Sequence, residues 1–91
     1  MAQVIAQPED MERFASELKQ FNEQLEQSMR RLQGQFNRLG ETWRDQDHQK
    51  FAREFEQTVR VLQQFQRTAD EQIPFLQKKA RILREFQKLQ R

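Results

Sequence analysis

Apolar residues recur along the first half of the chain at a spacing that alternates between three and four. The series consists of Met11, Phe14, Leu18, Phe21, Leu25, Leu32, Phe36 and Leu39. An α-helix turns once every 3.6 residues, so this spacing places the side chains on one helical face. Pro8 suits a first helical turn, where its missing N–H has no partner to lose. We therefore predict helix 1 over about residues 8–39.

The second half carries a similar series, which predicts helix 2 over about residues 46–89. Its members are Phe51, Phe55, Thr58, Leu62, Phe65, Ala69, Ile73, Leu76, Ala80 and Leu83. The step from Ala69 to Ile73 shifts the phase of the series, as a stutter does. Pro74 lies beside this step and is expected to bend the helix. Asp45 or Asp47 is expected to cap its N-terminus.

A short connection over residues 40–45 joins the two helices and predicts a single helical-hairpin domain over residues 1–91. Gly40 directly follows the last apolar residue of helix 1, where a left-handed capping glycine is common. Short connections produce antiparallel neighbours. Counting back from the turn brings residue 77 beside residue 8, so residues 78–91 are expected to form an overhang.

Further apolar residues lie outside the two series, among them Met29, Val59, Val61, Phe75 and Ile82. A pair of helices needs only a narrow apolar stripe, whereas a helix in a bundle needs a wider one. The expected fold is thus all-α, an antiparallel helical hairpin that dimerises into a four-helix bundle. The residues expected in the hairpin and dimer core are Phe14, Leu18, Phe21, Leu25, Leu32, Phe36, Leu62, Phe65, Ile73 and Leu76.

Composition agrees with this picture and excludes several other classes. Only 35% of the 91 residues are apolar, 33% are charged, and 17 are Gln, with two Gly and two Pro. So few turn-forming residues exclude an all-β fold, and so little apolar material argues against a self-contained enzyme core. No run of about 18 apolar residues is present to span a membrane. The first residues lack the basic and apolar regions of a cleaved leader, and the absence of cysteine rules out disulfides.

Charge is distributed unevenly along the chain. Residues 46–91 hold 10 basic and 6 acidic residues, which gives +4, whereas residues 1–45 hold 6 and 8, which gives −2. The basic tail consists of Lys78, Lys79, Arg81, Arg84, Lys88 and Arg91. It can complement the helix dipole, or act as a docking element for a partner or for an acidic membrane surface. Nucleic acid is the less favoured ligand, because no aromatic residues are interleaved to stack on bases.

The sequence offers no set of residues for catalysis or for metal binding. His48 is the only histidine, and its neighbours Asp45 and Asp47 project in different directions on a helix, so we expect an exposed histidine near a capping aspartate. We therefore expect a protein that is not an enzyme and has no cofactor, metal or small-molecule substrate. Trp43, the only tryptophan, is expected either to pack on Leu39 and Phe51 or to line a surface that a partner recognises.

Trp43 in the turn, followed by Phe51 and Phe55 on helix 2, resembles the WXG100 (ESAT-6-like) family of type VII secretion substrates. The resemblance covers the architecture of nearly the whole chain. Asp45 stands where the family's Trp-x-Gly motif has glycine. The family's Tyr-x-x-x-Asp/Glu export signal is absent, since the sequence has no Tyr and its nearest frame holds Phe86 and Gln90. The resemblance therefore implies either the partner of a signal-bearing chain or a divergent member that serves another assembly.

This resemblance implies a secretion substrate or adaptor that works through protein–protein contacts. Trp43, Arg44, Asp45, Phe51 and Phe55 would form the recognition surface at the turn. The implied partners are a second copy or a related small helical-hairpin protein, and a secretion ATPase. The chain would be cytoplasmic before export and secreted without a cleaved signal peptide. The alternatives are an intracellular coiled-coil adaptor or scaffold, and a membrane-surface or nucleic-acid binder that uses the basic C-terminal helix.

Overall fold

The computed structural model describes residues 6–89, which form two long helices joined by a tight turn. Helix α1 spans Pro8–Thr42 and helix α2 spans Gln46–Leu89. The two helices pack antiparallel, and the described chain measures 69 × 25 × 17 Å. This architecture confirms the predicted all-α helical hairpin.

The starts of both helices have clear local causes. Pro8 is the first residue of α1, and the Gln7 carbonyl accepts hydrogen bonds from the backbone N–H groups of Asp10 and Met11 at 3.1 and 3.2 Å. At the start of α2, the Asp45 carboxylate accepts a hydrogen bond from the backbone N–H of His48 at 3.1 Å. Asp45, rather than Asp47, is therefore the N-cap of α2.

The turn is shorter than the sequence predicted, because α1 continues through Gly40 to Thr42. The backbone N–H of Trp43 closes the helix on the Leu39 carbonyl at 2.9 Å. The expectation of a left-handed cap at Gly40 was wrong, since no described residue has a positive φ angle. Gly40 instead lies inside the helix beside His48, and a Cβ there would make an ordinary contact of 3.5 Å with Nε2 of His48.

Small side chains form the contact between the helices. Ala15, Ala69 and Ala80 are 2%, 1% and 0% exposed, and Ile73 is 9% exposed. On α2 the buried and half-buried positions form an unbroken three-four series: Phe55, Val59, Leu62, Gln66, Ala69, Ile73, Leu76, Ala80 and Leu83. We call this contact the seam.

The predicted stutter in helix 2 was wrong, because the seam series keeps its phase throughout. Val59 and Gln66 occupy seam positions, whereas Thr58 and Phe65 lie one position to the side and are exposed. The predicted series combines residues from two adjacent faces of the helix, and the change from one face to the other looks like a phase shift. α2 passes through Pro74 as one helix.

The basic tail does not overhang the hairpin as predicted. Ala80 is fully buried against α1, and Arg84 hydrogen-bonds to Glu12 in the first turns of α1. Helical side chains lean toward the N-terminus of their own helix. Arg84 on α2 therefore leans toward the turn, and Glu12 on α1 leans away from the turn, which brings their ends together. Arg84 therefore reaches Glu12 from a position that backbone counting had placed beyond the end of α1. Of the predicted overhang, Gln90 and Arg91 lie outside the described residues.

Candidate interaction surfaces

One side of the hairpin exposes a row of large apolar side chains. Phe14 and Phe21 immediately precede the seam residues Ala15 and Asn22, and they are 60% and 53% exposed. Phe65 of α2 meets Phe21 edge-on, with ring centroids 5.8 Å apart. We call this surface the central patch; its members are Phe14, Phe21, Leu32, Leu39, Val61 and Phe65. It is continuous across both helices, since the Phe21–Phe65 contact bridges them.

The ten predicted core residues divide between the seam and the central patch. Ile73 is buried, and Leu18, Leu25, Phe36, Leu62 and Leu76 are half-buried. Phe14, Phe21, Leu32 and Phe65 remain exposed in the single chain. Ala15 and Asn22 are buried between the helices, although neither was among the predicted core residues. Their signal was available in the steps of seven that link Pro8, Ala15, Asn22, Met29 and Phe36.

An aromatic cluster closes the hairpin at the turn. The Phe36 ring stacks on Phe55 at 4.6 Å between centroids, and Phe51 lies 5.9 Å from Phe36. Trp43 is half-buried, 5.7 Å from Phe51 and 5.2 Å from His48. Trp43 thus packs on Phe51, the first of its two predicted roles. Contacts among rings at these distances stabilise the turn beyond their buried area.

His48 contradicts the expectation of an exposed histidine. Its ring stacks on Phe36 at 5.7 Å, and Nε2 is buried without a hydrogen-bond partner. The ring lies beside Gly40 of α1, where an added Cβ would be 3.5 Å from Nε2. Arg44 and Asp45 remain exposed at the tip of the hairpin. The turn therefore combines a rigid aromatic base with one exposed arginine and a capping aspartate.

The side of the hairpin opposite the central patch is polar. Nδ2 of Asn22 donates to Oδ1 of Asp70 at 3.0 Å and to the Gln66 carbonyl at 3.2 Å. The Gln66 side chain donates to Glu26 at 2.8 Å. This hydrogen bond, with a second from Arg30, lowers the pKa of Glu26. The network links α1 to α2 through hydrogen bonds from Asn22 to Gln66 and Asp70 and from Gln66 to Glu26.

A second polar link holds the ends of the two helices together. Arg84 donates through Nε to Glu12 at 3.2 Å, and its Nη1 lies 3.5 Å from a Glu9 oxygen. The hydrogen bond from Arg84 lowers the pKa of Glu12, and the same bond raises the pKa of Arg84. These side chains are about half exposed, so the pair contributes modestly to stability.

The residues of the basic tail differ in their contacts. Arg84 faces α1, whereas Lys78, Lys79, Arg81 and Lys88 are exposed. Lys88 lies 3.6 Å from Glu85 in an exposed pair. Four exposed apolar side chains run along the same segment: Phe75, Ile82, Phe86 and Leu89. We call these four residues the tail stripe.

Within residues 6–89 no helix is long and apolar enough to cross a bilayer. Across the same residues, His, Asp and Glu side chains nowhere gather in a group of three that could hold a metal ion. The recognisable features of the surface are thus the central patch, the aromatic turn and the basic tail.

Comparisons with known proteins agree with this arrangement. A family model named WXG100 and described as "Proteins of 100 residues with WXG" matches residues 3–88. No curated protein matches the chain. A crystal structure of the secreted protein EsxB from Bacillus anthracis strain Sterne is 28% identical, covers 96% of this chain and 99% of its own, and has a TM-score of 0.77. A single-site variant of EsxB gives a TM-score of 0.80 at 28% identity, covering 93% of this chain and 96% of its own.

Proposed function

Because the chain belongs to the WXG100 family, we propose that it is a non-enzymatic protein that a type VII-like secretion system exports, or that acts as an adaptor for that system. The similar solved structures are of a secreted protein, which supports export. The described surface offers contact areas for other proteins, and the proposal therefore places function in protein–protein contacts.

The central patch is the observation that carries the proposal. Monomeric proteins seldom leave so many large apolar side chains in one row, and here Phe14, Phe21 and Val61 are each more than half exposed. A second hairpin, either a copy or a related chain, would cover the row and complete a four-helix bundle. The polar network on the opposite side would remain outside this bundle.

The turn would then be the part that the secretion machine recognises. Trp43, Phe51 and Phe55 are held in place by the aromatic cluster, which leaves Arg44 and Asp45 at the exposed tip. A membrane ATPase of the secretion system is the partner that we propose for this tip.

Export tests the role of the turn. Arg44→Ala removes an exposed charge at the tip, and Arg38→Ala is the matched control because Arg38 is an exposed arginine on α1. The full chain is produced in a bacterium that has a type VII system, with and without its ATPase, and the medium is assayed. We expect export that depends on the ATPase, is lowered by Arg44→Ala and is unchanged by Arg38→Ala.

Retention of the wild-type chain in the cell would contradict the export proposal and favour an intracellular coiled-coil scaffold. Equal export of the two arginine variants would remove the tip from the recognition surface. The molar mass of each variant is compared with that of the wild type, so that a change in export is not caused by a change in association.

A further inference from the structure

The tail stripe continues the central patch along α2. Residues seven apart lie on nearly the same side of a helix, because seven residues make almost two turns. Two rows with this spacing join the patch to the stripe: Val61, Phe75, Ile82 and Leu89 form the first, and Phe65 and Phe86 belong to the second. The central patch and the tail stripe are therefore one surface, which we call the pairing face.

The pairing face carries very little charge. Its two rows on α1 hold no charged residue; they consist of Met11, Leu18, Leu25, Leu32 and Leu39, and of Phe14, Phe21, Ser28 and Gln35. Between residues 51 and 89 of α2, the two rows hold one acid and one base. Glu54 stands seven residues before Val61, and Lys79 stands seven residues before Phe86. Both side chains are exposed, and neither makes an ion pair within the described residues.

These two charges lie on opposite sides of Phe65, at similar distances from it. Glu54 comes 11 residues before Phe65 and Lys79 comes 14 after it, which is about 17 and 21 Å along the helix axis. Helical side chains lean toward the N-terminus, so the Glu54 carboxylate moves away from Phe65 and the Lys79 ammonium moves toward it. The lean makes the two distances more equal. Phe65 is also where the pairing face crosses to α1, through its contact with Phe21.

We propose that the pairing face binds a second copy of this chain, turned end for end, so that Glu54 of each copy meets Lys79 of the other. A two-fold axis that passes near Phe65, perpendicular to the helices, brings these residues to the same level and forms the contact twice. A two-fold axis along the helices would instead place each charge opposite its own kind, which is unfavourable. This inference rests on the proposed pairing through the central patch, and it adds which chain is the partner and in which direction it lies.

The surroundings of the two charges favour a copy over a related chain. Glu54 and Lys79 stand in rows of apolar side chains, so a second hairpin on this face would remove both from water. A charge that loses its water without gaining a partner is strongly unfavourable. A related hairpin would need a base and an acid at the same two levels, whereas a copy has them by symmetry. The ion pairs thus determine the partner and its direction more than they add to stability.

Charge reversal in the full chain tests this inference. The dissociation constant for self-association is measured by analytical ultracentrifugation. The single variants are Glu54→Lys and Lys79→Glu, and a combined variant carries both changes. The matched controls are Glu56→Lys and Arg81→Glu, which make the same changes in net charge at exposed positions. Each control lies two residues further along, and so on the opposite side of α2.

We expect each single variant to associate roughly tenfold more weakly or worse, because like charges then meet at both symmetric contacts. The combined variant should regain the dissociation constant of the wild type, since it only exchanges the two signs. An equal mixture of the single variants should form a mixed dimer of similar strength, because both contacts again join opposite charges. The controls should behave as the wild type, and circular dichroism verifies that every variant is helical.

Three results would overturn the proposal. A wild-type chain that does not self-associate would exclude a second copy and leave a related hairpin as the partner. Self-association that the single variants do not weaken, or that the combined variant does not restore, would exclude the contact between Glu54 and Lys79. An equal loss in the controls would show an effect of net charge alone. Phe21→Gln with Phe65→Gln separates these outcomes from failure of the proposed function: undiminished association of that variant would remove the central patch itself as the interface.

Discussion

The alanines of the seam lead to a prediction that runs against the usual preference for leucine at helix contacts. Ala80 is fully covered by α1, and Ala69 is 1% exposed. Ala80→Leu adds three carbon atoms between two helices that already touch. The helices must then separate, or the new side chain must take a strained rotamer. The substitution should therefore destabilise the protein, although leucine is more apolar than alanine.

The expected size follows from overpacking in other cores. An added side chain in a filled contact costs about 1–3 kcal/mol. In a domain of this length each kcal/mol moves the thermal midpoint by about 4–8 °C. Ala80→Leu should thus lower the midpoint by roughly 5–20 °C, relative to the wild type at the same protein concentration.

Thermal unfolding followed by circular dichroism measures this change. Gln77→Leu is the matched control, because Gln77 is an exposed residue of the same helix and should accept leucine with little effect. A midpoint for Ala80→Leu that equals or exceeds that of the wild type would refute the close contact between the helices. A similar drop in both variants would mean that the loss does not arise in the seam.

Three further predictions concern single contacts. Gly40→Ala should stabilise the protein by about 0.5–1 kcal/mol in urea unfolding, because Gly40 is helical and the new Cβ makes an ordinary 3.5 Å contact with the histidine ring. Asn22→Ala should cost about 0.5–1.5 kcal/mol in the same assay, since it removes the part-buried hydrogen bonds that Asn22 donates to the Gln66 carbonyl and to Asp70; an unchanged midpoint would contradict this. Glu12 has a lowered pKa in the folded state, so its contribution is present above its unfolded pKa and is lost as the pH falls through the folded pKa. Acid titration of Glu12→Gln should therefore show a shallower loss of stability below about pH 4.5 than the wild type shows, and an identical slope would exclude this role.

The helices and the hairpin could be predicted from the sequence because both depend on local signals. Three-four spacing, Pro8 at the start of α1 and a capping aspartate at the start of α2 need no knowledge of the partner helix. Gly40 could not be interpreted in the same way. Whether Gly40 ends the helix or lies inside it beside the His48 ring depends on how the two helices meet at the turn, which is a tertiary contact.

The identity of the seam could not be predicted from spacing alone. Phe14 and Ala15, like Phe21 and Asn22, are neighbours that belong to two adjacent stripes of the same helix. The spacing predicts Phe14 and Phe21 in a shared hairpin and dimer core, whereas the structure buries Ala15 and Asn22 between the helices and leaves these two phenylalanines exposed. Small residues allow the helices to approach closely, and the large rings remain available for a second hairpin.

The position of the tail illustrates a different limit. Backbone counting places residue 77 opposite residue 8, yet Arg84 contacts Glu12. The difference arises because α1 is longer than predicted and because side chains lean toward their helix N-termini. At the turn, the Trp43 motif indicated the family, but the stacking of His48 within the aromatic cluster required the three-dimensional structure.

The molar mass of the folded protein tests the central claim most directly. The account holds that the central patch is half of a bundle core, so the folded chain should associate. Molar mass is measured by light scattering, and cooperative unfolding by circular dichroism, over a range of protein concentrations. If the chain pairs with itself, it should have twice its 11.2 kDa mass wherever it unfolds cooperatively. If it pairs with a related hairpin, it should unfold cooperatively only after that hairpin is added. Phe21→Gln with Phe65→Gln should weaken that association. A wild-type chain of 11.2 kDa that unfolds cooperatively and gains no stability with concentration would contradict the account.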